Sequence, residues 1–325
     1  LINNFAIDWR IISDLNLKAQ FGYSTERLTS DNFYPAEHSM FSNTNKYPIG
    51  STNKGSYTYG NGESISYDGS LTLSYSKTFN DLHQVYAGLN YSVSESQDET
   101  YSFRAEGFSN GDLSFIGNAL QYAADESPEG KKTISRRVGV TGNVNYSYNN
   151  RYFAEFNFGY NGSERFHKSK RFGFFPSAGL AWVVSNESFW DPFKSVVSKL
   201  KLRASYGIVG NDAIGSGRFL YLSDINMNDS KYGANFGYNF DYHRDGISVK
   251  RYSDPEITWE KSAKTNFALE FTLFDDLNVT AEYYTERRKS ILQQRASIPA
   301  SMGLWVQPYA NLGEAKGSGV DLSLD

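Results

Sequence analysis

Apolar and polar residues take turns along most of this chain, at a period of two that an extended strand converts into two chemically distinct faces. Between Ser64 and Phe79 the pattern is clearest. Ile65, Tyr67, Gly69, Leu71, Leu73, Tyr75 and Phe79 share one face, with Ser64, Ser66, Asp68, Ser70, Thr72, Ser74, Ser76 and Thr78 on the other, and only Lys77 interrupts it. A strand of a soluble domain runs about 5–6 residues, so this run exceeds the needs of a two-layer core. It suits a bilayer, where every backbone polar group must be paired internally and a closed barrel is the β solution.

Alternation and turn residues together predict five hairpins. Asn4–Ile12 pairs with Leu15–Ser24 across Ser13-Asp14, and Ser64–Phe79 with Leu82–Ser94 across Asn80-Asp81. Arg137–Tyr148 pairs with Arg151–Tyr160 across Asn149-Asn150, and Thr265–Phe274 with Leu277–Tyr284 across Asp275-Asp276. Phe172–Val184 and Lys199–Gly210 form the remaining pair, joined by Asn186–Ser198 with a short helix through Lys194–Val197. Asn and Asp tolerate the positive φ that two-residue hairpins require. The chain closes on the alternating run Val320–Asp325, which reads as a further strand.

The opposite connections are long: Thr25–Glu63, Ser96–Thr133, Gly162–Arg171, Gly210–Ser262 and Thr285–Gly317. Short turns at one end and long loops at the other is the asymmetry of an outer-membrane barrel, with the turns on the periplasmic side. Sandwiches and jelly rolls that carry long loops at one end are the competing all-β reading. The hairpins and the last strand make about eleven strands, whereas single-chain bacterial barrels have even counts. The expectation is an antiparallel up-and-down transmembrane β-barrel of which residues 1–325 form part of one barrel domain, with strands missing on both sides and no plug domain.

A mean hydropathy of −0.53 with 39% hydrophobic residues is no obstacle, because a barrel strand shows lipid only at every second position. No stretch reaches the roughly 20 apolar residues of a spanning helix. Cysteine is absent, so no disulfide framework is needed. With a net charge of −4 and dispersed Lys and Arg, the chain offers no concentrated basic surface, which argues against nucleic acid as a partner. The start, Leu1-Ile2-Asn3-Asn4-Phe5, lacks a basic n-region followed by an apolar h-region, and the expectation is that a signal was removed or that the chain begins in mid-protein.

In a barrel the apolar face meets lipid and the polar face lines the lumen. That turns Asn143, Asn145, Ser147, Glu155, Asn157, Asn161, Lys201, Arg203, Glu270 and Glu282 inward, where ionisable groups on neighbouring strands can pair. Tyr146, Tyr148, Tyr152, Tyr160, Phe172, Phe174 and Tyr283 fall near strand ends, at the headgroup level that amphipathic rings favour. Catalytic signals are weak. His38, His83, His167 and His243 lie far apart without metal-ligand spacing, and Gly50–Ser56 has Ser56 where a phosphate loop needs Lys. The acidic pairs Asp98-Glu99, Asp125-Glu126 and Asp275-Asp276 read as solvated loops or turns. The expectation is therefore no enzyme, no cofactor and no metal.

Two long loops are richer in chemistry. Lys231–Arg251 carries Tyr232, Phe236, Tyr238, Phe240 and Tyr242 among Asn and Gly, and the last long loop holds Trp305 and Tyr309. Rings beside Asn and Asp can stack on sugar faces, and they can equally fold a loop onto its own small core. Tyr232, Tyr238, Tyr242, Trp305 and Tyr309 are the candidate ligand-binding residues.

Asn161-Gly162-Ser163-Glu164-Arg165-Phe166, Arg171-Phe172-Gly173-Phe174-Phe175-Pro176-Ser177-Ala178-Gly179-Leu180-Ala181-Trp182 and Leu200–Asn211 resemble the barrel of SusC/RagA-type TonB-dependent transporters. Pro255-Glu256-Ile257-Thr258-Trp259-Glu260-Lys261 and Asn311–Leu322 look like two further signatures of that family. The similarity covers most of Arg137–Asp325, whereas Leu1–Lys132 agrees in layout with weaker wording. The resemblance implies a roughly 22-stranded barrel closed by a plug, importing glycans or peptides under a SusD-like surface lipoprotein and driven by the TonB complex through a segment before the plug. A passive outer-membrane porin and a soluble all-β carbohydrate-binding module are the alternative readings.

Overall fold

The computed structural model describes residues 1–42, 45–123, 126–213 and 218–325. Its strands are β1 (Ile2–Ile12), β2 (Leu15–Tyr34), β3 (Ser56–Phe79), β4 (His83–Glu106), β5 (Gln121–Tyr122), β6 (Glu129–Tyr148) and β7 (Tyr152–Ser163), followed by β8 (Phe172–Val183) and β9 (Val197–Asn211). Then come β10 (Asp224–Phe236), β11 (Tyr242–Arg251), β12 (Glu260–Leu273), β13 (Leu277–Gln294) and β14 (Tyr309–Leu324). One 12-stranded sheet runs in the order β1-β2-β3-β4-β6-β7-β8-β9-β12-β13-β14, with β5 added beside β4, and β10–β11 form a separate two-stranded sheet. All five expected hairpins are present, and the eleven strands of the main path match the number read from alternation. No helix among the described residues is long and apolar enough to cross a membrane.

The turns follow their chemistry. Asn80-Asp81 and Asn149-Asn150 all have φ between 50° and 56°, the conformation of a type I′ hairpin turn. The last hairpin departs from expectation by one residue. Phe274 (φ 52°) and Asp275 (φ 62°) take the left-handed positions instead of Asp275-Asp276, because β12 ends its pairing at Leu273↔Leu277, one residue before the expected strand end at Phe274.

Several strands reach further toward the loop end than alternation shows. β2 continues to Tyr34, β3 begins at Ser56, β4 runs to Glu106 and β6 begins at Glu129, so much of the expected loops Thr25–Glu63 and Ser96–Thr133 is strand. Likewise β13 and β14 take up most of Thr285–Gly317, and the expected loop Gly210–Ser262 contains the β10–β11 hairpin. The added stretches are stitched by polar cross-strand pairs: Arg27–Glu63 at 2.8 Å, Arg136–Glu95 at 2.7 Å and Ser64 Oγ donating to Asp98 at 2.7 Å. Where both faces are wet, apolar alternation has no reason to exist, and the period-two signal stops before the strand does.

Two compact units are distinguished. The first comprises Leu1–Ile7, Gln20–Gly69 and Val93–Arg136, and the second Asp8–Ala19, Ser70–Ser92 and Arg137–Asp325. In the first, Phe33 and Phe108 meet edge to face at 5.0 Å, as do Phe41 and Tyr47. Arg104 binds Glu126 at 2.6 Å and the Tyr47 hydroxyl at 3.2 Å. Asp125, of the expected acidic pair, lies outside the described residues. In the second unit the wall strands leave their apolar row uncovered. Leu180 is 66% exposed, Phe267 55% and Val320 71%. The oily rows are not stacked between two sheets, which removes the sandwich reading.

Candidate functional site

The polar row of the second unit carries a charge ladder. Lys201 of β9 stands directly opposite Glu270 of β12. Arg203 donates through Nε to Glu270 and through Nη2 to Glu282 of β13, both at 2.5 Å. Asn266 adds a bond to Glu282 at 3.1 Å, and Lys201 lies 3.8 Å from Glu270. One guanidinium thus ties three neighbouring strands on the face expected to be wet. A concavity of about 520 Å³ beside the ladder is lined by Gln84, Asn145, Ser147, Glu155, Arg203 and Ser205, together with Val85, Tyr146, Leu180 and Ala204. Such a surface suits water and hydrogen-bonding solutes. A second concavity of about 810 Å³ is lined mainly by the apolar row, among Leu180, Leu202, Ala204, Phe267, Ala281 and Tyr283, with Arg203 and Glu282 of the charge ladder also in its lining.

The loop end is rooted by a small apolar knot. Pro176 has no N–H to give, and registered pairing of β8 with β9 begins only at Ser177↔Gly207. Phe175 fills the gap this leaves. Its ring occupies the place a Cβ on Gly173 or Gly210 would take, so both positions require glycine. Phe166, Leu220, Ile257 and Trp259 close around it, with Phe175 and Trp259 in edge contact at 5.1 Å. Trp259 Nε1 donates to the Arg171 carbonyl at 3.1 Å, and Asn311 clamps Thr258 by accepting from its N–H and donating to its carbonyl. The knot therefore joins the segments 164–171, 218–223 and 252–259 to the wall. Phe166, Phe175, Ile257 and Trp259 lie in the motifs quoted above, which carried no structural role in the sequence, whereas Leu220 lies in none; the Phe-Gly-Phe-Phe-Pro run was the available signal.

The five candidate aromatics divide. Tyr232 of β10 meets Trp305 edge to face at 4.5 Å, which brings two loops together, and Lys231 Nζ lies 5.3 Å from the Tyr232 ring centre. Tyr242 begins β11 under the Arg244 guanidinium at 4.4 Å. Tyr238 stands at the hairpin tip, fully exposed, between Gly237 (φ 92°) and Phe240 (φ 53°). Tyr309 is not a loop residue. It opens β14, packs against the knot and accepts from Gln294 at 3.3 Å, a structural position.

Residues 2–325 match the family described as TonB dependent receptor-like, beta-barrel. The chain belongs to this family. Over 99% of its length it is 27% identical to TonB-dependent receptor P3 of Formosa agariphila, and it spans 30% of that protein. It is 30% identical to TonB-dependent receptor SusC of Bacteroides thetaiotaomicron over 59% of its own length and 19% of SusC. In fold, 99% of the chain superposes on 33% of a chain in the RagAB peptide importer in its "closed-closed" state, with a TM-score of 0.79 at 21% identity. The chain thus spans between about a fifth and a third of these proteins. The family membership confirms the SusC/RagA resemblance and the barrel fold.

Proposed function

We propose that residues 1–325 form part of the barrel wall and outward loops of an outer-membrane, TonB-dependent nutrient importer without enzymatic activity. The carrying observation is the inverted wall: an apolar row left open on one face, and on the other a row tied by Arg203, Glu270 and Glu282. An apolar surface of that extent is stable only against hydrocarbon, and the polar row then lines a wet passage. The whole protein carries a glycan or oligosaccharide, with a peptide as the second choice. A SusD-like surface lipoprotein serves as lid and the TonB complex supplies energy through a part of the protein outside these residues. SusC and the RagAB peptide importer, which stand among the proteins similar to this chain, support that reading.

Tyr232, Tyr238 and Tyr242 on the β10–β11 hairpin, with Trp305 beside Tyr232, form the aromatic surface offered to ligand or lid. Tyr309 supports it from the knot. Removing residues 231–251 from the full-length protein is expected to abolish uptake and lipoprotein binding while the barrel still folds. Unchanged uptake on oligosaccharide or peptide as sole nutrient would refute the role of the hairpin.

A further inference from the structure

Four of the five turn-end connections are two or three residues long, whereas β8 and β9 are joined by 184–196. This insert is built from two 3-10 turns, Val184–Asn186 and Ser188–Phe193. A 3-10 turn has three residues per turn, so side chains at i and i+3 eclipse. Trp190, Phe193 and Val196 therefore form one stripe, with the Trp190 and Phe193 rings 5.4 Å apart and the Val196 N–H donating to the Phe193 carbonyl at 3.0 Å. Asp191 and Lys194 form the adjacent stripe and pair at 2.7 Å. Phe189 is 58% exposed and Phe193 56%, and Val196 is also exposed. The insert is thus amphipathic at the three-residue period: Phe193 and Val196 of its apolar stripe are exposed, and Trp190 is half-buried with its Nε1 donating to the Val197 carbonyl at 3.1 Å.

Its attachment fixes which way it faces. Tyr148, Tyr152 and Trp182 form a stacked ladder, each ring 6.3 Å from the next. Trp182 lies two residues beyond Leu180 on β8 and is the register partner of Tyr152, so the ladder continues the apolar row. At its end, Glu187 accepts from the Tyr152 hydroxyl at 2.6 Å, from Trp182 Nε1 at 3.2 Å and from Arg151 Nη1 at 3.2 Å. Glu187 is the residue before the Ser188–Phe193 turn. A carboxylate held by an amphipathic ring ladder thus pins the turn to the edge of the apolar face.

We propose that this insert is an in-plane membrane anchor: Phe189, Trp190, Phe193 and Val196 enter the headgroup and upper acyl region of the periplasmic leaflet, while Asp191 and Lys194 remain in water. The occupant is phospholipid, because the stripe is continuous with the row that faces hydrocarbon and carries the aromatic content that settles at that depth. This rests on the outer-membrane reading above. It adds a fixed depth and tilt for this part of the wall.

The test places nitroxide labels at single cysteines in the full-length protein, reconstituted in phospholipid vesicles, with any other cysteine removed. Labels at Phe193→Cys and Val196→Cys are expected to collide with oxygen in preference to a water-soluble nickel chelate, and labels at Asp191→Cys and Lys194→Cys the reverse, reproducing the three-residue period. A Leu180→Cys label reports the wall and a Ser13→Cys label the water. If Leu180 is lipid-accessible but 193 and 196 match Ser13, the anchor is overturned while the barrel stands; shielding of 193 and 196 from both agents would overturn it in favour of a protein partner. A Leu180 label in water would overturn the membrane reading itself. In the unmodified protein, a phospholipid with a photoactivatable headgroup should label the segment 189–196, and absence of label there while other turn-end residues react counts against the anchor.

Discussion

At the scale of single residues, Glu187 shows how a surface carboxylate can be held by its surroundings. The Tyr152 hydroxyl donating to it lowers its pKa below the usual carboxylate range, and the Trp182 N–H and the Arg151 charge add to that, against the desolvation that opposes it. A carboxylate with a lowered folded-state pKa stabilises the fold above its unfolded value of about 4.3, and that contribution is lost as pH falls through the lower folded value. Glu187→Gln keeps the acceptor oxygen and removes the charge. The variant is therefore expected to melt below the wild type at neutral pH, with the gap closing as the pH falls below about 4. Melting temperatures of the two full-length proteins across that range check it, and a gap independent of pH would show that the charge contributes nothing.

At the scale of elements, the apolar knot separates the stability of the loops from that of the wall. Phe175 is buried, and truncating a buried Phe costs about 3–5 kcal/mol. Because the knot fastens connections and the ladders of β9, β12 and β13 are complete without it, Phe175→Ala is expected to release the loops first. Amide exchange should rise across 218–259 with the β12–β13 pairing still protected; equal loss in both would mean that the wall depends on the knot. The same contrast explains what the sequence made legible. Turn-end strands announced themselves because one side meets an apolar medium and the other a polar one. β14 was visible only from Val320 because Gly313, Gly317 and Gly319 dilute its strand signal, although the Tyr284 ring covers Gly319 in the fold. The β10–β11 hairpin was hidden by register shifts between Asn226 and Ala234, which break alternation where it would have been read. The candidate aromatics were recognisable by type, but nothing in spacing told Tyr309, rooted in the knot, from Tyr238, free at a tip.

At the scale of the whole molecule, the two faces of the second unit's wall should answer oppositely to the same charge. Leu180 of β8 and Ala204 of β9 are register partners on the apolar row, next to Gly179↔Ser205 on the polar row. Leu180 and Ser205 thus lie one residue apart in register and at similar depth, yet one meets hydrocarbon and the other water. An arginine on the lipid face near the bilayer midplane costs about 2–4 kcal/mol, whereas a lumen-facing one is solvated. Leu180 lies only two residues from the interfacial Trp182, so Leu180→Arg should lower the unfolding free energy of the full-length protein in lipid by less than that midplane cost but by more than Ser205→Arg, whose new charge joins a row that already holds Lys201, Arg203 and Glu270. Denaturant titrations in vesicles separate the two. Equal penalties would mean that both faces meet the same medium, and an inverted order would place the lumen on the opposite side of the sheet, carrying the ion-paired ladder out to lipid, where unsolvated charges could not be sustained.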